Sequence, residues 1–144
     1  MESQPRVLIV EPDEVLRTLL ITMLKYQQVE VDTASTADEA FDRVTTCDYA
    51  LILIDFDMPG GQAELFLERF HDFRPEATTF VIAMHEAHPD PRPLYVHALL
   101  RKPLEIDAVA EAIRECALVV PRPADPLDCP PPEIEVATSS AFIQ

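Results

Sequence analysis

The chain has 144 residues, 48% hydrophobic and 26% charged, which fits one soluble domain with room for a substantial core. A formal net charge of −15 argues against a nucleic-acid binder, because phosphate contacts require a basic face. No stretch approaches a membrane span, and residues 1–6 lack the basic and apolar regions of a signal peptide, so a cytoplasmic protein with no membrane contact is expected.

Arg6-Val-Leu-Ile-Val10 reads as a short apolar strand that ends in acid, Glu11-Pro12-Asp13-Glu14. Leu16, Leu19, Leu20, Met23 and Leu24 then recur at helical spacing, with Asp13 placed to cap the helix. Val29 to Thr33 alternates like a strand with one wetter side. A short helix begins at Ser35 or Thr36 and turns Ala37, Ala40, Phe41 and Val44 inward. Leu51 to Ile54 has no polar face, so it reads as a strand covered on both sides in a parallel sheet. Asp55 follows where that strand leaves the core, and Met58-Pro59-Gly60-Gly61 breaks the chain. Alone, such an aspartate is as well explained by a turn.

Ala63, Phe66, Phe70 and Phe73 form the next helical stripe, closed by Pro75, and this stripe is expected in the core. Thr79 to Met84 is a fourth apolar strand ending at His85. The alternation predicts another helix, but Pro89, Pro91 and Pro93 leave at best a shortened one over Leu94–His97. Ala98 to Arg101 is a brief fifth strand before Lys102-Pro103. Ile106, Val109, Ala110, Ile113 and Ala117 then mark a last helix over Glu105–Leu118. From Pro121 onward, six prolines and few large apolar residues predict an acidic, disordered tail over 121–144, behind a folded domain over 1–120. Its end, Ala141 to Gln144, is slightly sticky, yet a frayed terminus is expected. Cys47, Cys116 and Cys129 are odd in number and lack metal-ligand spacing, which fits a reducing compartment. His71, His88 and His97 likewise show no metal spacing.

The βα alternation predicts a parallel sheet wrapped by helices, with every strand's carboxyl end at one edge. That edge collects Glu11 and Asp13 after the first strand, Asp55 after the third and Lys102 after the fifth. Crowded carboxylates are tolerable where a divalent cation or an ammonium sits among them. Magnesium suits such a site, since it takes one or two carboxylates and completes its shell with water or phosphate oxygens. A carboxylate held this way can accept a phosphoryl group whose charge the cations offset.

Val7-Leu-Ile-Val10-Glu11, Leu53-Ile-Asp55-Phe-Asp57-Met-Pro59-Gly60 and Arg101-Lys102-Pro103-Leu104 together resemble the receiver domain of bacterial response regulators, the CheY-like family, over about residues 5–120. The resemblance implies a flavodoxin-like, five-stranded doubly wound sheet of order 2-1-3-4-5. It implies Asp55 as phosphoacceptor, Glu11 in the acidic cation-binding pair, the Asp57 carbonyl as a further magnesium ligand, and Lys102 as the phosphoryl-contacting lysine. Pro103 would follow a cis peptide bond. A histidine kinase or phosphotransfer protein is the implied donor. Output would pass to a downstream protein through the face of the fourth helix, fifth strand and fifth helix, through which receivers also form homodimers. No effector domain is recognisable after residue 120.

Departures from the family pattern are specific. Pro12 stands at the second acidic position, so magnesium binding is expected to be weakened or absent unless Asp13, one residue late, substitutes. The hydroxylic switch position is His85, thirty residues after Asp55, and the aromatic switch position is Leu99. The fourth helix is shortened or lost. These features predict an atypical receiver or a pseudo-receiver that docks without phosphorylation. A distant third reading is an enzyme: Asp55-Phe-Asp57 resembles the opening of haloacid-dehalogenase-type phosphatases, although that motif continues Gly-Thr where this chain has Met58-Pro59. Enzymatic turnover is not expected.

Overall fold

Apolar residues that alternate along each strand build two cores on opposite sides of one parallel sheet. The computed structural model describes residues 5–86, 95–118 and 134–135, with backbone alone for 115–118 and 134–135. The strands are β1 (Arg6–Val10), β2 (Glu30–Ala34), β3 (Leu51–Asp55), β4 (Phe80–His85), β5 (Ala98–Arg101) and the two-residue β6 (Ile134–Glu135). The helices are α1 (Glu14–Leu24), α2 (Ala37–Thr46), α3 (Gln62–Phe73) and α4 (Ile106–Leu118). Every pairing is parallel, in the order β2-β1-β3-β4-β5-β6. The expected five-stranded order is present, and β6 extends it at the β5 edge. The remainder of the stretch read as a disordered tail lies outside the described residues.

On one face Val7, Ile9, Leu51, Leu53, Phe80, Ile82, Met84, Ala98 and Leu100 pack against Leu20 and Leu24 of α1 and Val109, Ala112 and Ile113 of α4. The intervening residues, Leu8, Val10, Ile52, Ile54, Val81 and Ala83, face Ala40, Val44, Ala63, Phe66, Leu67 and Phe70 of α2 and α3. This period of two explains why β3 and β4 read as continuous apolar runs: both faces are covered. Among the described residues no helix is long and apolar enough to cross a membrane.

Local chemistry sets the boundaries. The Asp13 carboxylate accepts the Val15 N–H at 2.9 Å and starts α1, and Thr36 accepts the Glu39 N–H at 3.0 Å and starts α2. Gly60 and Gly61 both take left-handed backbone, φ +73° and +65°, which glycine adopts without the steric cost other residues carry.

Three sequence expectations are corrected. Phe73 belongs to the helical stripe but is half exposed, set edge-on to Phe41 with Arg74 over its ring. Leu19, 39% exposed, and Ile106, 63% exposed, also stay outside the core. Leu19 is about 100° around α1 from buried Leu20, and Ile106 is the first residue of α4, before that helix turns inward at Val109. Between β4 and β5, residues 87–94 lie outside the described set and residues 95–97 are not helical, in keeping with a fourth helix expected to be shortened or lost. Tyr95 is left-handed at φ +67°, and the His97 N–H already donates to the Val81 carbonyl at 2.8 Å in continuation of the ladder.

Candidate functional site: an acidic cluster at the carboxyl edge

Glu11 leaves β1 while its N–H still donates to the Ala34 carbonyl at 2.9 Å, so its side chain is carried to the sheet edge and buried. Pro12 has no N–H and redirects the chain into α1. Arg17, one turn into the helix, donates to the Glu11 carbonyl at 2.8 Å and the Pro12 carbonyl at 3.4 Å, fixing the bend. Glu11 Oε2 accepts the Asp13 N–H at 3.1 Å, and its buried Oε1 has no hydrogen-bond partner. Asp13 therefore meets Glu11 through its backbone, while its exposed carboxylate caps α1. This is where the chain places the residue read as a substitute metal ligand.

Asp55 ends β3, opposite Met84 of β4, and is also buried. Its Oδ1 accepts the Asp57 N–H at 2.7 Å, the turn contact expected of an aspartate at this position, and Lys102 Nζ at 3.0 Å. Lys102 is brought over the end of β4 because its N–H donates to the His85 carbonyl at 2.8 Å. The Lys102–Pro103 peptide is cis. The ammonium is shared: Nζ also lies 3.0 Å from Asp57 Oδ2, which in turn accepts the Glu86 N–H at 3.2 Å. Asp57 thus ties both Lys102 and the first residue after β4 to the end of β3. From the sequence Asp57 is a backbone ligand at the pocket rim or a solvent-facing residue, and no spacing rule points to its side chain as the second partner of Lys102.

Burial and the neighbouring Asp55 carboxyl push the Glu11 carboxyl up to about 8, with the Asp13 N–H and Lys102 ammonium opposing them. Burial works against the Lys102 ammonium, but the hydrogen bonds and charges of Asp55 and Asp57 outweigh it and hold its pKa above the ordinary lysine range. The cluster thus retains more negative charge than its one ammonium neutralises. Either a proton on Glu11 or an added cation relieves the excess. Among the described residues no three His, Cys, Asp or Glu side chains converge as a ready-made metal cage. The orphaned Glu11 oxygen beside Asp55 still fits a hard cation that needs only one or two carboxylates.

His85, the last residue of β4, is buried beyond Met84 at the level of Arg101. Leu99 pairs with Ala83 and is half-buried in the α2–α3 core beside Tyr95 and Val96. Neither supplies a hydroxyl or a movable aromatic ring. His71 stacks on Tyr95 at 4.4 Å and His97 Nδ1 accepts the Val81 N–H at 3.0 Å, so both serve packing; His88 lies outside the described residues.

Residues 7–114 match the family model described as "Response regulator receiver domain". The fold is similar to the CheY-like receiver domain protein from Methanospirillum hungatei (24% identity, 78% of this chain and 93% of that one, TM-score 0.70). It is also similar to a chain in the co-crystal structure of the Saccharomyces cerevisiae histidine phosphotransfer protein Ypd1 with the receiver domain of its response regulator Ssk1 (18%, 82% and 92%, TM-score 0.71). A third likeness is to the response regulator TrrA of Thermotoga maritima in complex with Mg2+-BeF (21%, 78% and 99%, TM-score 0.67). No curated protein matches the chain.

Proposed function

The chain belongs to the response regulator receiver domain family, and from that premise we propose that Asp55 accepts a phosphoryl group from the phosphohistidine of a histidine kinase or phosphotransfer protein. One observation carries the proposal: Asp55 is buried at the end of β3 with the Lys102 ammonium 3.0 Å from Oδ1. A free Asp55 oxygen would attack phosphorus as the P–N bond breaks; the donor imidazole leaves with the electron pair, and an acyl phosphate forms. Lys102 lies where charge collects on the transferring oxygens, and the Asp57 N–H keeps the carboxylate oriented. Turnover of an external substrate forms no part of this reading.

Glu11, Asp55 and the Asp57 carbonyl are the groups that would hold magnesium, which when bound offsets phosphoryl charge. With Pro12 beside Glu11 and Asp13 engaged at the cap, affinity is expected to be weak. Output passes to a downstream protein or to a second copy of the chain, in the cytoplasm where such kinases act. Incubation with a small-molecule phosphodonor and magnesium, read by intact mass at short times, should give a phosphoryl-sized gain that Asp55→Asn lacks. Equal spectra for the two proteins would end this reading.

The second reading is a phosphorylation-independent docking module. Imidazole at His85 and Pro12 in place of an acid favour it, since both change groups that would stabilise or sense the phosphoryl. Under that reading Asp55→Ala leaves partner binding intact.

A further inference from the structure

The two edges of the sheet are chemically unlike. The β2 edge carries Glu30 and Asp32, and Arg6 of β1 closes on both, at 2.9 and 3.1 Å. Charges of this kind discourage a further strand from adding. The opposite edge strand, β5, reads Ala98-Leu99-Leu100 and carries no charge before Arg101. An apolar edge with open N–H and C=O groups accepts an extended chain. In this protein β6 lies there, parallel, with Ile134 opposite Ala98 and Glu135 opposite Leu99.

We propose that the outer edge of β5 is a strand-docking site whose resident occupant is the chain's own C-terminal segment around Ile134–Glu135, held as a displaceable cover. Topology makes this occupant available. β5 runs to the carboxyl edge, α4 returns to the amino edge at Leu118, and β6 starts beside Ala98 at that same edge. Residues 119–133 have an extended reach of about 50 Å, ample for a connection between two points at one end of the sheet. The parallel direction is the one a β-helix-β crossover gives.

The sequence agrees. Ile134-Glu135-Val136 alternates apolar and polar residues with β-branched side chains, a strand pattern. Pro130-Pro131-Pro132, separated from it by Glu133 alone, has few conformations to lose when an extended segment docks. The prolines also supply no N–H, so pairing cannot spread backward through them. Among the described residues two pairs form, a contact short enough for a competing extended strand to displace. A partner using this edge must bring an extended strand and displace it.

Hydrogen exchange tests the proposal in the full chain, beside an I134P/E135P double variant and a form ending at Glu133. The Leu100 amide, which alternation from the His97 N–H donated to Val81 turns away from β4 and toward β6, should exchange at least tenfold faster in both variants, while the amides of β1 and β3 keep their protection. A synthetic peptide of residues 130–144 should restore protection to the shortened form, saturably. Equal β5 exchange in all three proteins overturns the assignment, as does protection in the full chain that fades on dilution, which would place the strand on a second copy. If the shortened form loses protection throughout the sheet, the double variant alone decides. The result is independent of the phosphoryl reading, because Asp55→Asn should leave β5 exchange unchanged.

Discussion

A single oxygen, Glu11 Oε1, concentrates the electrostatic cost of the site. It is buried without a partner beside Asp55, and its carboxyl titrates near 8 against an ordinary 4.5. Between those values the folded chain holds a proton that the unfolded chain has lost, so stability falls as pH rises from about 4.5 to about 8. Urea unfolding across this window should show the decline, and Glu11→Gln should flatten it. Magnesium added at the upper end should restore more stability to the native chain than to Glu11→Gln. Gly60 is a separate test of the turn that follows Asp55. A Cβ there meets nothing within 4 Å, so Gly60→Ala should cost only the left-handed backbone penalty, about 1 kcal/mol, measured by chemical denaturation. Glu11, Asp55 and Lys102 were legible in the sequence because each follows an apolar strand. The contact of Asp57 with Lys102 was not, because it depends on where Lys102 is carried over β4.

At the scale of elements, α1 settles what Asp13 does. Asp13→Ala should lose about 1 kcal/mol of stability and Asp13→Ser almost none, since serine also caps. Magnesium titration should give the same affinity in both as in the native chain; a drop in both would make the carboxylate a ligand instead. Strands were readable nearly to the residue wherever an apolar run ended at a charged residue, as at Arg6–Val10 and Ala98–Arg101. Exposure was less readable: Phe73 and Leu19 carry the right spacing, but the width of the covered stripe depends on which helices pack beside it. β6 escaped notice because two paired residues fall below the length at which alternation is informative.

For the whole molecule, βα alternation gave a parallel sheet and the family resemblance its order, while the unequal edges followed from neither, since they depend on which strand ends up outermost. Net charge is the global variable left to test. At −15 the folded chain repels itself, so raising sodium chloride from low to moderate concentration should raise the thermal midpoint through screening. A midpoint that stays flat would mean the charges are already compensated locally. Finally, the acid site draws on the ends of β1, β3 and β5, and its Asp55–Lys102 contact spans 47 residues of sequence. No hairpin, single βα unit or growing nascent chain can contain it before the fifth strand is in place. The Asp55–Lys102 pair therefore reports that β3 and β5 have both joined the sheet, and a substitution that displaces either strand should break the pair while distant helices stay folded.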